Sequence, residues 1–243
     1  MPTSFLPNVM SASAHDIWIF AYGSLMWRPG FSFLEAAPAR LAGYSRHFCV
    51  TSVHHRGTPQ RPGLVLGLDR GGSCEGIAYR VSAAEAAGVL AYLRAREQVN
   101  GVYREARVGI TIGSSEPCVK AAVVYLVERA HPSYAGQLPL HVQARLIAGA
   151  RGVSGANLDY VINTLRHMAD IGIRERGLER LMVVIGSYFA REPGGSLVSP
   201  RGEALRRWKQ RDCAICDRLA LMRPGERRRF LYRQRLGHAK ATT

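Results

Sequence analysis

Two short stretches carry residues that can do chemistry. The first is Tyr22-Gly23-Ser24-Leu25, at the end of the apolar run Ile17-Trp18-Ile19-Phe20-Ala21. That run is β-branched and aromatic, the composition of a buried strand. It stops at a glycine, a residue free to turn with positive φ, and a serine follows. A buried strand ending in such a turn aims successive backbone N–H groups at one point, which makes an anion cradle. An ordinary β-turn accounts for the same four residues equally well.

The second stretch is Tyr92-Leu93-Arg94-Ala95-Arg96-Glu97-Gln98, which places Glu97 in the last turn of a helical pattern. A carboxylate there faces the negative end of the helix dipole. Burial would also penalise its charge. Both effects raise the carboxyl above the ordinary value of about 4.3, which suits an acid/base group working near neutral pH. By itself Glu97 reads more readily as a surface carboxylate paired with Arg94 or another nearby arginine, as most helix carboxylates are.

Other candidates carry less. His54-His55 lies in a loop with no Asp, Glu or Cys at ligand spacing, so no metal is expected. Cys213 and Cys216 form a single CxxC in a basic tail, without the second pair that a structural zinc needs. Ser24 stands in Gly-Ser-Leu and not in G-x-S-x-G, so it is no nucleophile elbow. Neither a P-loop nor a G-x-G-x-x-G is present, so no phosphate-bearing cofactor is expected.

The elements that must position these residues follow from pattern. After the opening strand, residues 31–39 read as a connection and Leu41 to Ser52 as a strand. Leu64–Leu68 and Cys74–Val81 read as a hairpin turning at Asp69-Arg70-Gly71-Gly72. Ser82, with Glu85 three residues on, forms a capping box for a helix over about 83–98. Strands are predicted over 102–112 and 119–127, split by the polar turn Gly113-Ser114-Ser115. From Leu138 the pattern turns helical, over about 139–150, 157–172 and 175–190. Strands first and helices second favour an α+β architecture, an antiparallel sheet or small barrel with helices packed on it. The missing strand–helix alternation disfavours a Rossmann sheet.

The chain has 243 residues and is 47% hydrophobic, enough to fill a core. Its formal net charge is +15. Residues 201–243 hold 13 Lys and Arg against 4 Asp and Glu, a net of +9, so most of the excess sits in the last stretch. A basic tail invites nucleic acid, and Arg206-Arg207-Trp208-Lys209 with Arg227-Arg228-Arg229 mixes charge and aromatic as single-strand binders do. A charge run is more often a solvated face, and no recognised binding motif accompanies it. The five cysteines are odd in number and scattered, which points to a reducing, cytoplasmic setting. No signal-peptide pattern and no membrane-length apolar run is seen. Three segments are expected: a leader over 1–15, a domain over 16–191, and a linker with a basic C-terminal extension over 192–243.

Taken together, these residues resemble the ChaC family of γ-glutamylcyclotransferases that act on glutathione. The resemblance rests on Phe20-Ala21-Tyr22-Gly23-Ser24-Leu25-Met26-Trp27, on His55-Arg56-Gly57-Thr58-Pro59 with Arg61-Pro62-Gly63-Leu64, and on Gly72-Ser73-Cys74-Glu75-Gly76. It continues through Tyr92-Leu93 to Glu97, Gly101-Val102-Tyr103, His131-Pro132, Tyr134-Ala135-Gly136, Ser154-Gly155, Asn157 and Tyr160. It covers about residues 17–185. One departure is Ala21, where the family often carries Gly.

The resemblance implies a γ-glutamylcyclotransferase-like small mixed or antiparallel β-barrel with flanking helices. It implies that Ile19, Phe20, Ala21, Tyr22, Gly23, Ser24 and Leu25 bind the γ-glutamyl moiety. Backbone N–H groups and Ser24 would hold the α-carboxylate, Glu97 would be the catalytic acid/base, and Tyr103 would line the pocket as a hydrogen-bonder. The expected substrate is glutathione, cut to 5-oxoproline and Cys-Gly without metal or cofactor. Two alternatives remain: other γ-glutamyl amines or peptides as substrates, and nucleic-acid binding through the tail.

Overall fold

A computed structural model of the chain describes residues 15–98, 100–113 and 116–191. Nearly all of the expected leader lies outside the described residues. So do Ser114 and Ser115, Cys213 and Cys216, and the whole linker and basic extension from 192 onward.

Five strands close into a barrel: β1 (Ile17–Ala21), β2 (Glu35–Ser52), β3 (Gly63–Val81), β4 (Tyr103–Ile112) and β5 (Cys118–Val127). Their order around the barrel is β1-β3-β2-β4-β5. Neighbours are antiparallel except at the closure, where β1 runs parallel to β5 through Trp18↔Ala122 and Ile19↔Val123. The barrel is therefore mixed. Closure leaves no open sheet edge along the body of the barrel.

The expected hairpin at Asp69–Gly72 is not one. β3 runs unbroken from Gly63 to Val81 and pairs with β2 along its whole length. Gly71 and Gly72 have φ of 103° and 70° and sit opposite Gly43, at a register shift between Ala42 and Tyr44. The glycines make a bulge, where one strand carries an extra residue and the pair bends. The bulge also changes which residues face inward. Ala39 and Leu41 are buried before it, Arg46 and Phe48 after it, so β2 moves from odd to even. The supposed connection at Ala37-Pro38-Ala39 is likewise part of β2.

The helix α1 (Ala83–Glu97) follows β3 directly. Ser82 Oγ accepts from Glu85 N at 3.3 Å, the expected cap, and Asp16 Oδ1 accepts from Ala83 N at 3.1 Å. Three further helices come last: α2 (Leu140–Gly149), α3 (Asn157–Asp170) and α4 (Arg176–Arg191). Between α2 and α3 the two-residue strands β6 (Arg151–Gly152) and β7 (Gly155–Ala156) pair, a ladder too short to show in the sequence pattern. Ile147, Leu158, Val161, Leu181 and Ile185 bury the helical faces in the same core as Ile19, Phe48 and Leu126. Each such side chain contributes about 1.5–3 kcal/mol by leaving water. Asn157, fully buried at the start of α3, ties this layer to the barrel. Its Oδ1 accepts from Leu64 N and its Nδ2 donates to Leu64 O, both at 2.7 Å. Among the described residues no helix is long and apolar enough to cross a membrane.

Candidate active site

A pocket opens where β1 ends. It encloses about 440 Å³ of empty space, its open mouth included. β1 supplies Phe20, and the chain just beyond supplies Tyr22 and Gly23. Ser24 and Leu25 follow from a short 3₁₀ turn, Ser24–Met26. Glu97 enters from the last residue of α1 and Tyr103 from the first residue of β4. The two stretches that could do chemistry thus meet in one place.

Strand geometry sorts the remaining expected residues. Side chains alternate along β1, so Phe20 and Tyr22 face the pocket while Ile19 and Ala21 do not line it. Those two are fully buried in the core. Leu66 from β3, Tyr125 from β5 and Tyr160 from α3 complete the lining. None of the three was singled out as a site residue. Tyr160 lies in one of the motif segments, whereas Tyr125 shows in sequence only as a polar hydroxyl within an apolar strand.

Gly23 has φ −129°, so it does not hold the positive-φ conformation expected of it. A Cβ placed on it meets nothing within 4 Å. What the absent side chain leaves is space beside the pocket. The turn begins with Met26 N donating to Gly23 O at 2.9 Å. The N–H groups of Ser24 and Leu25 precede that first intraturn bond, as the first N–H groups of any helical turn do.

Glu97 is one-fifth exposed, and among the described residues it is the one carboxyl group lining the pocket. Burial pushes it above the ordinary carboxyl value, and the Arg96 guanidinium, with Nε 3.2 Å from Glu97 Oε1, partly opposes this. Arg96 also holds the turn. Its Nη2 donates to Ser24 Oγ at 3.0 Å, and its Nη1 to Arg28 O at 2.8 Å and to the Tyr92 hydroxyl at 2.9 Å.

Four phenols surround the carboxyl. Burial raises Tyr22 and Tyr103 well above the usual tyrosine range, and raises Tyr160 to about 12. Tyr125 is raised by burial and by the neighbouring Glu105 carboxylate. All four stay neutral at physiological pH. The Tyr103 hydroxyl donates to Leu66 O at 2.6 Å, so towards a ligand its oxygen is left to accept. Tyr160 is steadied by Arg56, whose guanidinium lies 5.2 Å from the ring centre and whose Nη1 donates to Ala156 O at 3.3 Å. A proton-exchanging group in a slot of neutral phenols, beside the first residues of a helical turn, can move one proton beside a bound anion.

His54 and His55 stay outside the pocket, with His55 Nδ1 3.1 Å from Ser154 Oγ. Among the described residues no cluster of three or more His, Cys, Asp or Glu could hold a metal ion.

Known proteins resemble the chain in sequence and fold. A family model described as "ChaC-like protein" matches residues 17–188. A glutathione-specific γ-glutamylcyclotransferase of Escherichia coli (strain K12) is 33% identical over 182 residues, which is 74% of this chain and 78% of that one. The mouse protein named glutathione-specific γ-glutamylcyclotransferase 1 is 32% identical over 201 residues, 79% of this chain and 90% of its own. In fold, the chain resembles the crystal structure of a yeast γ-glutamylcyclotransferase specific to glutathione. That likeness has a TM-score of 0.64 at 23% identity and covers 72% of this chain and 97% of that one. By the extent of the family match and by these relatives, the chain belongs to the ChaC-like family.

Proposed function

We infer that this protein is a glutathione-specific γ-glutamylcyclotransferase, which converts glutathione to 5-oxoproline and Cys-Gly. The observation that carries the reading is the meeting of Glu97 with the turn Tyr22–Leu25 in one tyrosine-lined pocket. The relatives named above supply the substrate.

In glutathione the α-amine and the γ-carbonyl belong to one glutamyl unit. The backbone N–H groups of the turn, with Ser24, hold the α-carboxylate. Glu97 takes a proton from the α-ammonium group. The freed amine attacks the γ-carbonyl, and a carbon–nitrogen bond closes a five-membered ring. The ring nitrogen, now positively charged, gives up its second proton. The bond from that carbon to the cysteinyl nitrogen breaks as Glu97 returns the first proton to it, and the second proton passes by way of Glu97 to the freed amine of Cys-Gly. The raised carboxyl of Glu97 suits these transfers. The Tyr103 oxygen accepts from the amine and helps to keep it in line. Holding the two ends of a floppy chain in reacting geometry is worth about 7–11 kcal/mol of the barrier.

The domain carrying this activity is placed at 16–191, with the basic extension beyond it. Cys49, Cys74 and Cys118 are free thiols, which supports placing the enzyme in the cytoplasm. The test is to incubate purified protein with glutathione and follow 5-oxoproline and Cys-Gly, with Glu97→Gln alongside. The wild type should yield both products, and the variant about 10²–10⁴-fold less. A variant that keeps half the activity sinks the role given to Glu97. Turnover of simple γ-glutamyl amines with none of glutathione would move the reading to the wider substrate class.

A further inference from the structure

Arg46 is buried, 3% exposed, and does not line the pocket. Its guanidinium is directed instead at the backbone behind the turn. Nε donates to Tyr22 O at 2.5 Å and Nη2 to Glu75 O at 2.7 Å. Nη1 lies 3.4 Å from Glu175 Oε1, an ion pair in the connection between α3 and α4, but makes no hydrogen bond there. Burying a charge is costly unless it is paired and bonded. Here the bonding goes to two carbonyls, one of them in the segment that lines the pocket, with a longer contact from Nη2 to Met26 Sδ at 3.9 Å.

Peptide planarity gives this contact a consequence. No cis peptide occurs among the described residues, so each carbonyl and the following N–H point in opposite directions. Holding Tyr22 O against Arg46 turns the Gly23 N–H away from Arg46, and Gly23 lines the pocket. Tyr79 works on the same turn, its hydroxyl donating to Met26 O at 2.8 Å and to Leu25 O at 3.3 Å. Resting on the reading of this turn as the carboxylate cradle, we propose that Arg46 is a positioning residue. By holding the Tyr22 carbonyl, it presents the Gly23 N–H to the α-carboxylate of the substrate. A cation on the carbonyl also polarises the peptide and makes that N–H a stronger donor. The bulge at Gly43 places Arg46 on the inward register from which it reaches the turn.

The carboxylate is held alike before and during ring closure, so the effect falls on uniform binding and hence on KM. The test is Arg46→Lys, which keeps the charge but loses the fork that spans two carbonyls. KM for glutathione should rise about tenfold or more. The value of kcat should stay within about threefold, and the acid limb of the pH profile should not move. A folded variant with unchanged KM, or a fall in kcat at unchanged KM, overturns the proposal.

A second measurement leaves Arg46 intact and serves if Arg46→Lys does not fold. In Glu97→Gln, the amide proton of Gly23 should move downfield when glutathione is added. Glutathione that binds without moving that proton overturns the proposal. Wild-type protein that leaves glutathione intact overturns the functional reading and this inference together. Normal wild-type turnover with an unchanged Arg46→Lys KM overturns the inference alone.

Discussion

Replacing Arg96 with glutamine should move the acid limb of the kcat/KM profile to higher pH. Glu97 must be ionised to take the ammonium proton, so activity falls as pH drops through its carboxyl value. Burial raises that value and Arg96 lowers it. Removing the guanidinium leaves the raising effect unopposed. At the observed 3.2 Å, two unit charges attract by about 1 kcal/mol in water and about 5 kcal/mol at an effective dielectric of 20. The Arg96 and Glu97 side chains are 25% and 20% exposed, so solvent screens the pair and about 1–3 kcal/mol is a fair working range. At 1.36 kcal/mol per pH unit, the limb moves up by about one to two units. At the pH of the wild-type half-maximum, the variant then works at about one-tenth of its own plateau or less. The plateau itself also drops, because Arg96 holds Ser24 Oγ and Arg28 O, but midpoint and plateau are read separately. Arg96→Lys keeps the charge, and its limb should stay near the wild-type position. A folded Gln variant whose limb is unmoved, or moves down, refutes the reasoning. So does a Lys variant that moves as far as the Gln one.

Gly23→Val should melt like the wild type, since a Cβ there meets nothing within 4 Å, yet raise KM more than Ser24→Ala does; normal substrate binding would show that the space beside Gly23 is not used. Asp69→Asn should destabilise by about 1–3 kcal/mol, roughly 2–4 °C of Tm per kcal/mol in a chain of this size. Burial pushes the Asp69 carboxyl up, but hydrogen bonds from Arg129, Tyr134 and Arg70 N outweigh it and hold it below its ordinary value. That stabilisation is complete above the unfolded value of about 3.9. It is lost as pH falls through the folded value, so wild-type and variant melts should converge below about pH 4 and stay apart at pH 7. A chain cut at Pro200 should fold and cyclise glutathione, because the lining residues lie between Phe20 and Tyr160; a folded but inactive truncate would move the domain boundary.

The strands and helices were legible where burial imposes a period. β1, α1 and the three late helices lie within two residues of their expected bounds. Glycine was the weak point, because one residue type serves several conformations. Gly71-Gly72 carries the composition of a hairpin turn, but the pairing of β2 with β3 on both sides of it decides for a bulge. Gly23 reads in sequence as a positive-φ residue, whereas its φ is −129° and a Cβ there meets nothing within 4 Å. Glu97 and the turn were legible through their motifs. Tyr125 and Tyr160 come from elements far apart in the chain and become neighbours only when the barrel closes. Arg46 stayed hidden because its inward position follows from the bulge, which period-two reading across Gly43 cannot anticipate.

The parallel seam between β1 and β5 also bears on how the protein comes into being. β1 is the first of the described strands to be made, yet both its partners lie far downstream, Ile77–Val81 in β3 and Ala122-Val123 in β5. At a synthesis rate of about 5–20 residues per second, the roughly 100 residues between β1 and its second partner take about 5–20 s to appear. For that interval the apolar run Ile17–Ala21 has no complete set of neighbours. The pocket needs Phe20 from the beginning, Tyr125 from the middle and Tyr160 from α3. The pocket is therefore incomplete until Tyr160 has been made, and glutathione in the surrounding solution meets a working enzyme only after the barrel has shut.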